Sequence, residues 1–239
     1  MKRKYRIMLT TSNGYLNCIK PFSWLLKKYW VNHPDVVVGG FKEPEFDLPE
    51  GFSFISQGNQ ADYPIEHWSD QVDKFFNQTE DEVIIFMLED MWITEPVKDT
   101  VVDMAYDYMV QFEYVARLDL TGDRLHCDCT QFYGKLGTVD LLLSHPDSQY
   151  HLSTMPALWR KKHLQRVMLP NETPWQLELE GTPRLGALKD IVVVLGTNAW
   201  PIRNTLAFRG GSTGELLLSE LDPDDVEEMR DLGLFKGLE

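Results

Sequence analysis

From Tyr5 to Thr10 bulky and polar side chains alternate. The pattern breaks at Ser12-Asn13-Gly14, and Leu16, Ile19, Phe22, Leu25, Leu26 and Tyr29 then recur at helical spacing to about Trp30. This predicts a strand, a turn and a helix, with Pro21 kinking the helix or delaying its start. Asp35 to Gly40 (DVVVGG) is a continuous apolar run closed by glycines, the pattern of a strand buried on both faces, and Phe52 to Ser56 (FSFIS) is its expected neighbour. A helix is predicted from about Ile65 to Asn77. Val83 to Asp90 (VIIFMLED) is the most strand-like segment and the expected central strand, and a helix over Val97–Phe112 and a strand over Tyr114–Asp119 follow. The first half thus reads β-α-β-β-α-β-α-β, which predicts an α/β fold with an open, mostly parallel central sheet flanked by helices.

The second half is less periodic. Arg124–Tyr133 reads as a hairpin strand, Gln149–Thr154 as another, and Pro156–Met168 as a helix with an early proline. Trp175–Gly181 is short and acidic, Ile191–Leu195 is a last buried strand, and Gly196–Gly214 is a long segment carrying Pro201 and four glycines. Asp222 with Pro223 behind it reads as the N-cap of a terminal helix ending near Asp231. With no repeat, low-complexity tract or linker, the expectation is a single domain over residues 1–239.

Charge changes the picture. Lys and Arg number 23 against 37 Asp and Glu, a net charge of −14 that disfavours generic nucleic-acid or anionic-membrane binding. The three cysteines, Cys18, Cys127 and Cys129, do not make a disulfide framework, and no apolar run approaches the about 18 residues of a spanning helix, so the expected address is the cytoplasm. The basic start MKRKYRIMLTTS meets polar residues too early for a signal peptide and reads as the first strand.

Glu89-Asp90 is the sharpest chemical signal. Ligands of open α/β sheets bind beyond the carboxyl ends of the strands, and two adjacent acids there suit a divalent cation held against a diphosphate, although a solvated strand end has the same local pattern. His126-Cys127-Asp128-Cys129 has metal-ligating residue types, but its C-x-C spacing and the lack of a second cysteine pair argue against zinc. Gly39-Gly40 and Gly210-Gly211 match neither the dinucleotide fingerprint nor a P-loop, and there is no G-x-S-x-G elbow.

VIIFMLEDMW resembles the apolar run followed by DxD of GT-A glycosyltransferases, in a form where an acidic pair replaces the triplet. Ser153-Thr154-Met155-Pro156-Ala157-Leu158-Trp159 is similar to the S-x-x-P-A-x-W-R segment of small bacterial and viral members, and Glu172 to Glu178 (ETPWQLE) to their P-W-x-x-E segment. The three landmarks stand in the expected order across roughly three quarters of the chain. The resemblance implies a GT-A-like fold, with residues 1–120 as the nucleotide-sugar-binding half and 121–239 as the acceptor half and tail. It implies that Thr10, Thr11 and Ser12 grip the nucleotide, that Asp62 completes that pocket, and that Asp90, with Glu89 beside it, meets Mn²⁺ or Mg²⁺ or the donor diphosphate. Leu88 stands where the first Asp of DxD would be, which weakens the case for tight metal binding.

An inverting transferase needs a carboxylate to take the proton of the acceptor hydroxyl, and Glu178 is the candidate, with Glu180 as its near alternative. Trp175 offers a stacking wall for a sugar ring, and Trp159 and Arg160 are further acceptor-side candidates. Arg203 and Arg209 flank a glycine-bearing loop suited to a diphosphate, and Arg160-Lys161-Lys162-His163 is a basic cluster. The expected activity is sugar transfer from a nucleotide sugar to a hydroxyl of an envelope glycan or a lipid-linked precursor. The alternatives are a viral transferase acting on hydroxymethylated DNA bases, served by the basic cluster, and a binding protein that keeps the fold without catalysis. A metal-dependent nuclease using Glu89, Asp90 and Asp119 ranks last, because it leaves Trp175 and Glu178 without roles.

Overall fold

The computed structural model describes residues 3–122, 130–209 and 215–238. Strands β1 (Ile7–Thr10), β2 (Val36–Gly40), β3 (Phe52–Ser56), β4 (Val83–Leu88), β6 (Val115–Asp119), β7 (Thr130–Leu136), β8 (Val139–Ser144), β9 (Ala157–Arg160) and β10 (Val193–Thr197) form one sheet in the order β3-β2-β1-β4-β9-β6-β10-β8-β7. Every strand except β9 and β8 points the same way, so the sheet is mostly parallel, as the alternating pattern predicts. Short strands β5 (Met91–Ile93) and β11 (Asn204–Leu206) pair with each other, as do β12 (Phe208–Arg209) and β13 (Glu215–Leu216).

Both faces of the sheet are covered, which is why its parallel strands read as unbroken apolar runs. Ile7, Leu9, Val36, Val38, Ile85 and Met87 point to one side. There they pack with helix α1 (Ile19–Tyr29), helix α3 (Asp99–Gln111) and the C-terminal helix α6 (Pro223–Asp231) with the residues after it. Met8, Val37, Ile84 and Phe86 point to the other side, against α2 (Trp68–Asn77), α4 (Lys161–Val167) and α5 (Pro174–Gly186). The period of two along each strand thus separates two cores.

Three expectations for the second half are corrected. Pro156–Met168 is not one helix: Ala157–Arg160 forms β9, wedged antiparallel between β4 and β6, and only Lys161–Val167 is helical. Two long-range ladders outweigh the local helical pattern. Gln149–Thr154 forms no strand, because its backbone bonds to turn carbonyls and side chains, His151 N–H to Ser148 O and Leu152 N–H to Thr182 Oγ1. The acidic stretch at Trp175 belongs to the 13-residue helix α5, opened by a Thr173–Gln176 capping box. Its apparent stop at Gly181 is a packing requirement, since a Cβ there would lie 2.9 Å from Leu152 Cδ1. The last buried strand starts two residues later than expected, and Thr130–Leu136 pairs with β8 in a hairpin turned by Gly137 at φ 61°. The His126-Cys127-Asp128-Cys129 motif lies outside the described residues. No helix among the described residues is long and apolar enough to cross a membrane.

Candidate functional site

The register of the parallel strands puts Thr10, Gly39 and Leu88 level with one another, so Thr11, Ser12, Glu89 and Asp90 emerge together at the carboxyl rim of the sheet. Thr10 is buried and its Oγ1 accepts from Gln71 Nε2 of α2 at 3.1 Å. Thr11 donates its amide to Gly39 O at 2.9 Å and its hydroxyl to Glu89 Oε1 at 3.3 Å. Gly40 must be glycine for this packing: a Cβ there would sit 2.8 Å from Thr11 Cγ2 and 2.9 Å from Phe54 Cε2. In the glycine pair that fits no phosphate-binding motif, Gly40 thus makes room for Thr11 and Gly39 for the Phe75 ring.

Glu89 and Asp90 form the turn between β4 and β5. Glu89 is buried, and its carboxyl is pushed well above the usual range by burial first and by the Asp90 charge second; contacts from Thr11 and the Ser12 backbone favour the charged form without reversing the shift. Burial raises Asp90 to about 6. The turn's backbone is fixed from two directions, with Trp92 Nε1 donating to Glu89 O at 3.1 Å and the Ala207 amide donating to Asp90 O at 2.7 Å. Cys18 lies under the turn, its thiol pushed up by burial and then by the two acids.

The β1 loop is tied to its neighbours through Asn13, whose amide donates to Gln60 Oε1 at 2.7 Å and whose Oδ1 accepts from the Lys42 amide at 3.0 Å. This brings the turn Gln60–Asp62, with Asp62 exposed, beside the β1 loop. Glu178 reaches the rim by a different route. Ala157 pairs with both Phe86 and Asp119, so Ser153–Pro156 leave the sheet at the end where Glu89 emerges. Glu178 Oε1 accepts there from the Thr154 amide at 2.6 Å and the Thr154 hydroxyl at 2.8 Å. Trp175, one turn earlier on α5, is 58% exposed.

Other candidates stand elsewhere. Trp159 is 1% exposed within the sheet, its ring 5.4 Å from the Arg117 guanidinium, and cannot meet an acceptor at the surface. Arg160 pairs with Val83 at the start of β4, the opposite rim from Glu89, and donates to Met109 O. The rest of the basic cluster is also engaged: Lys161 Nζ donates to the carbonyls of Phe76 and Thr79, Lys162 pairs with Glu113, and His163 meets Glu113 O with burial lowering its pKa. It is not a free basic strip. Arg203 stacks over Trp200 at 4.0 Å and lies 4.0 Å from Glu95, next to Thr94, roughly 13 Å of strand from Asp90. Arg209 continues the backbone that bonds to Asp90 through Ala207. Asp119 is fully buried and pairs with Arg117 at 2.5 Å. Gln71, Thr154 and Trp92 escape sequence reasoning, since their roles rest on long-range contacts; only Trp92, two residues past the acids, stands close enough to be noticed.

Glu89 and Asp90 suit a hard divalent cation on the chemistry of their donors. They supply carboxylate oxygens, both are held partly against ionisation by burial, and a cation of the Mg²⁺ or Mn²⁺ kind takes one or two carboxylates and completes its shell with water and phosphate oxygens. Among the described residues no group of three or more His, Cys, Asp or Glu forms a self-sufficient metal site.

No protein-family model matches the chain, and no relative is found among curated proteins. Solved structures similar to it include S. aureus TarS 1-349, at 15% identity and a TM-score of 0.42 over 82% of this chain. Another is the glucosyl-3-phosphoglycerate synthase of Mycobacterium tuberculosis in complex with Mn²⁺, uridine diphosphate and phosphoglyceric acid, at 12% identity and a TM-score of 0.49 over 99% of this chain and 78% of that one. The chain spans 60% of the TarS fragment. The fold class expected from the sequence, an α/β fold with a mostly parallel central sheet flanked by helices, is the one observed.

Proposed function

We propose that the chain is a glycosyltransferase that moves a sugar from a nucleotide-sugar donor to an acceptor hydroxyl by inverting displacement. The observation that carries this reading is the placement of the adjacent acids Glu89 and Asp90 beside Thr11 at the carboxyl rim of the sheet, the same end at which the segment that binds Glu178 leaves β9. In this reading the β1 end and the Gln60–Asp62 turn hold the nucleotide, residues 1–120 form the donor half, and residues 121–239 form the acceptor half. Glu89 and Asp90 would hold Mn²⁺ or Mg²⁺, and a cation there supplies positive charge against the departing diphosphate.

Glu178 accepts the proton of the acceptor hydroxyl while that oxygen forms its bond to the anomeric carbon. The bond from that carbon to the diphosphate oxygen breaks, and the nucleoside diphosphate leaves with the electron pair. Thr154 aims the carboxylate, and Trp175 offers an exposed ring face to the acceptor. The acceptor is an envelope glycan or a lipid-linked precursor, met in the cytoplasm. Modified DNA is the weaker choice, because the basic cluster meant to serve it is engaged by other groups of the chain, Arg160 and Lys161 by backbone carbonyls and Lys162 by Glu113.

The second reading, a non-catalytic nucleotide-sugar-binding protein, is favoured by one observation: Leu88 replaces the first acid of the motif. A thermal-shift screen of UDP-, GDP-, CMP- and dTDP-sugars with and without Mn²⁺, followed by nucleotide release, separates the two. Stabilisation with release supports transfer, and stabilisation without release supports binding alone. No shift at millimolar concentration rejects both.

A further inference from the structure

The residues after β10 reach the acidic turn directly at Ala207 and indirectly through Trp92. Ala207 bonds to Asp90 O, and its own carbonyl accepts from Leu217 N–H at 2.7 Å, which anchors the start of the C-terminal segment to the turn. Helix α6 is then fixed on α1 through Asp225, 1% exposed, which pairs with Lys28 and accepts from Tyr29 Oη at 2.5 Å. Beyond α6 the chain turns at Gly233, φ 68°, and lays the Phe235 ring on Trp92, with centroids 6.1 Å apart and planes 29° apart. Both rings are buried. Gly237, φ 84°, lets the chain end close on Asn17, where a Cβ would sit 2.5 Å from Asn17 Nδ2.

Trp92 joins this tail to the site. Its indole N–H bonds to Glu89 O, so whatever fixes the plane of the indole also fixes the backbone of the acidic turn. Phe235 does that by stacking on the indole. The C-terminal segment is therefore wired to the acidic turn by one ring stack and one hydrogen bond.

We propose that Phe235 is a positioning residue for Glu89 and Asp90, acting through Trp92, and that the C-terminal segment is a working part of the site. The functional consequence rests on the donor-site reading above; the positioning itself is measurable without a donor. The full-length chain is compared with Phe235→Ala and with Met229→Ala, which removes buried volume from α6 and leaves the ring stack and the indole hydrogen bond in place. Hydrogen exchange is followed by NMR at the Trp92 indole N–H and the Ala207 amide, alongside the thermal midpoint. The expected result is exchange at both sites at least tenfold faster in Phe235→Ala than in Met229→Ala at matched distance below the midpoint. Equal exchange in the two variants overturns the inference. Mn²⁺ with UDP-glucose is the second readout: a tenfold weaker Kd in Phe235→Ala only carries the positioning through to the donor. If wild type binds no nucleotide sugar while the exchange difference holds, the donor-site reading fails and the positioning stands.

Discussion

Thr154 binds Glu178 twice, through its amide at 2.6 Å and its hydroxyl at 2.8 Å, and both bonds fall on the same carboxylate oxygen, Oε1. These bonds hold the carboxylate in one orientation, and the capping box at Thr173 and Gln176 fixes the helix that carries it. In the proposed role of general base, Glu178 is thus oriented in advance.

Glu178→Ala is therefore expected to bind donor with unchanged affinity while kcat falls by about 10²- to 10⁴-fold, the usual contribution of a positioned base. Thr154→Val, which keeps the amide bond and loses the hydroxyl, should lower kcat by roughly tenfold, about 1.4 kcal/mol, and leave donor Kd alone. Steady-state kinetics with a separate donor titration checks both. Equal losses in Kd and kcat would show that the pair only supports the fold.

The acidic turn makes stability depend on pH. Asp90 rises from 3.8 to about 6 by burial, and Glu89 shifts in the same direction. The folded chain then keeps a proton that the unfolded chain gives up, so this contribution is complete below about pH 4 and is lost as pH rises through about 6. In metal-free buffer Asp90→Asn should gain on wild type between pH 4 and pH 7, by on the order of 2 kcal/mol. Urea unfolding at a series of pH values measures the gap, and a gap that does not change with pH refutes the assignment.

Gly40→Ala should cost about 1–3 kcal/mol by overpacking against Thr11 and Phe54. Thr11→Ser removes the nearer clash, the methyl 2.8 Å from the new Cβ, and keeps the hydroxyl that meets Glu89. The double variant should recover part of the loss, and a double-mutant cycle in thermal unfolding reads the coupling. Strict additivity would mean that Thr11 is not what Gly40 accommodates.

Thr173→Ala removes the side-chain acceptor for the Gln176 amide and should lower stability by about 1 kcal/mol. Chemical denaturation tests this, and an unchanged midpoint would show that the cap is replaced by water.

The first half of the fold was legible because its strands are covered on both faces. Val83–Leu88 and Val36–Gly40 lie between two cores, so each is apolar throughout and bounded by turn residues. Glu89 and Asp90 were legible for a related reason, as acids placed directly after such a run. Ala157–Arg160 was not legible, because four residues following a proline and leading into Lys161–Val167 carry a helical pattern, and only pairing with Ile84 and Arg117 makes Trp159 part of a strand. The same blindness moved Trp159 and Arg160 into the acceptor site: aromatic and basic types suggest a surface, and burial between two ladders is a long-range property. Gly181 misled in the opposite sense, a packing glycine that resembles a helix stop. Thr154 and Gln71 carry no local signal at all, since their partners lie 24 and 61 positions away.

The antiparallel wedge of β9 also sets the order in which this molecule can come into being. β4 and β6 are close in sequence yet do not touch; the strand that joins them arrives some forty residues after β6 ends. On a ribosome the two flanking strands are exposed before their spacer has been made, so the middle of the sheet closes late and through distant contacts, the kind of pairing that slows folding. The end of the sheet from which Ser153–Pro156 leave to bind Glu178 is complete only after that closure, so half-made chains carry Glu89 and Asp90 without it.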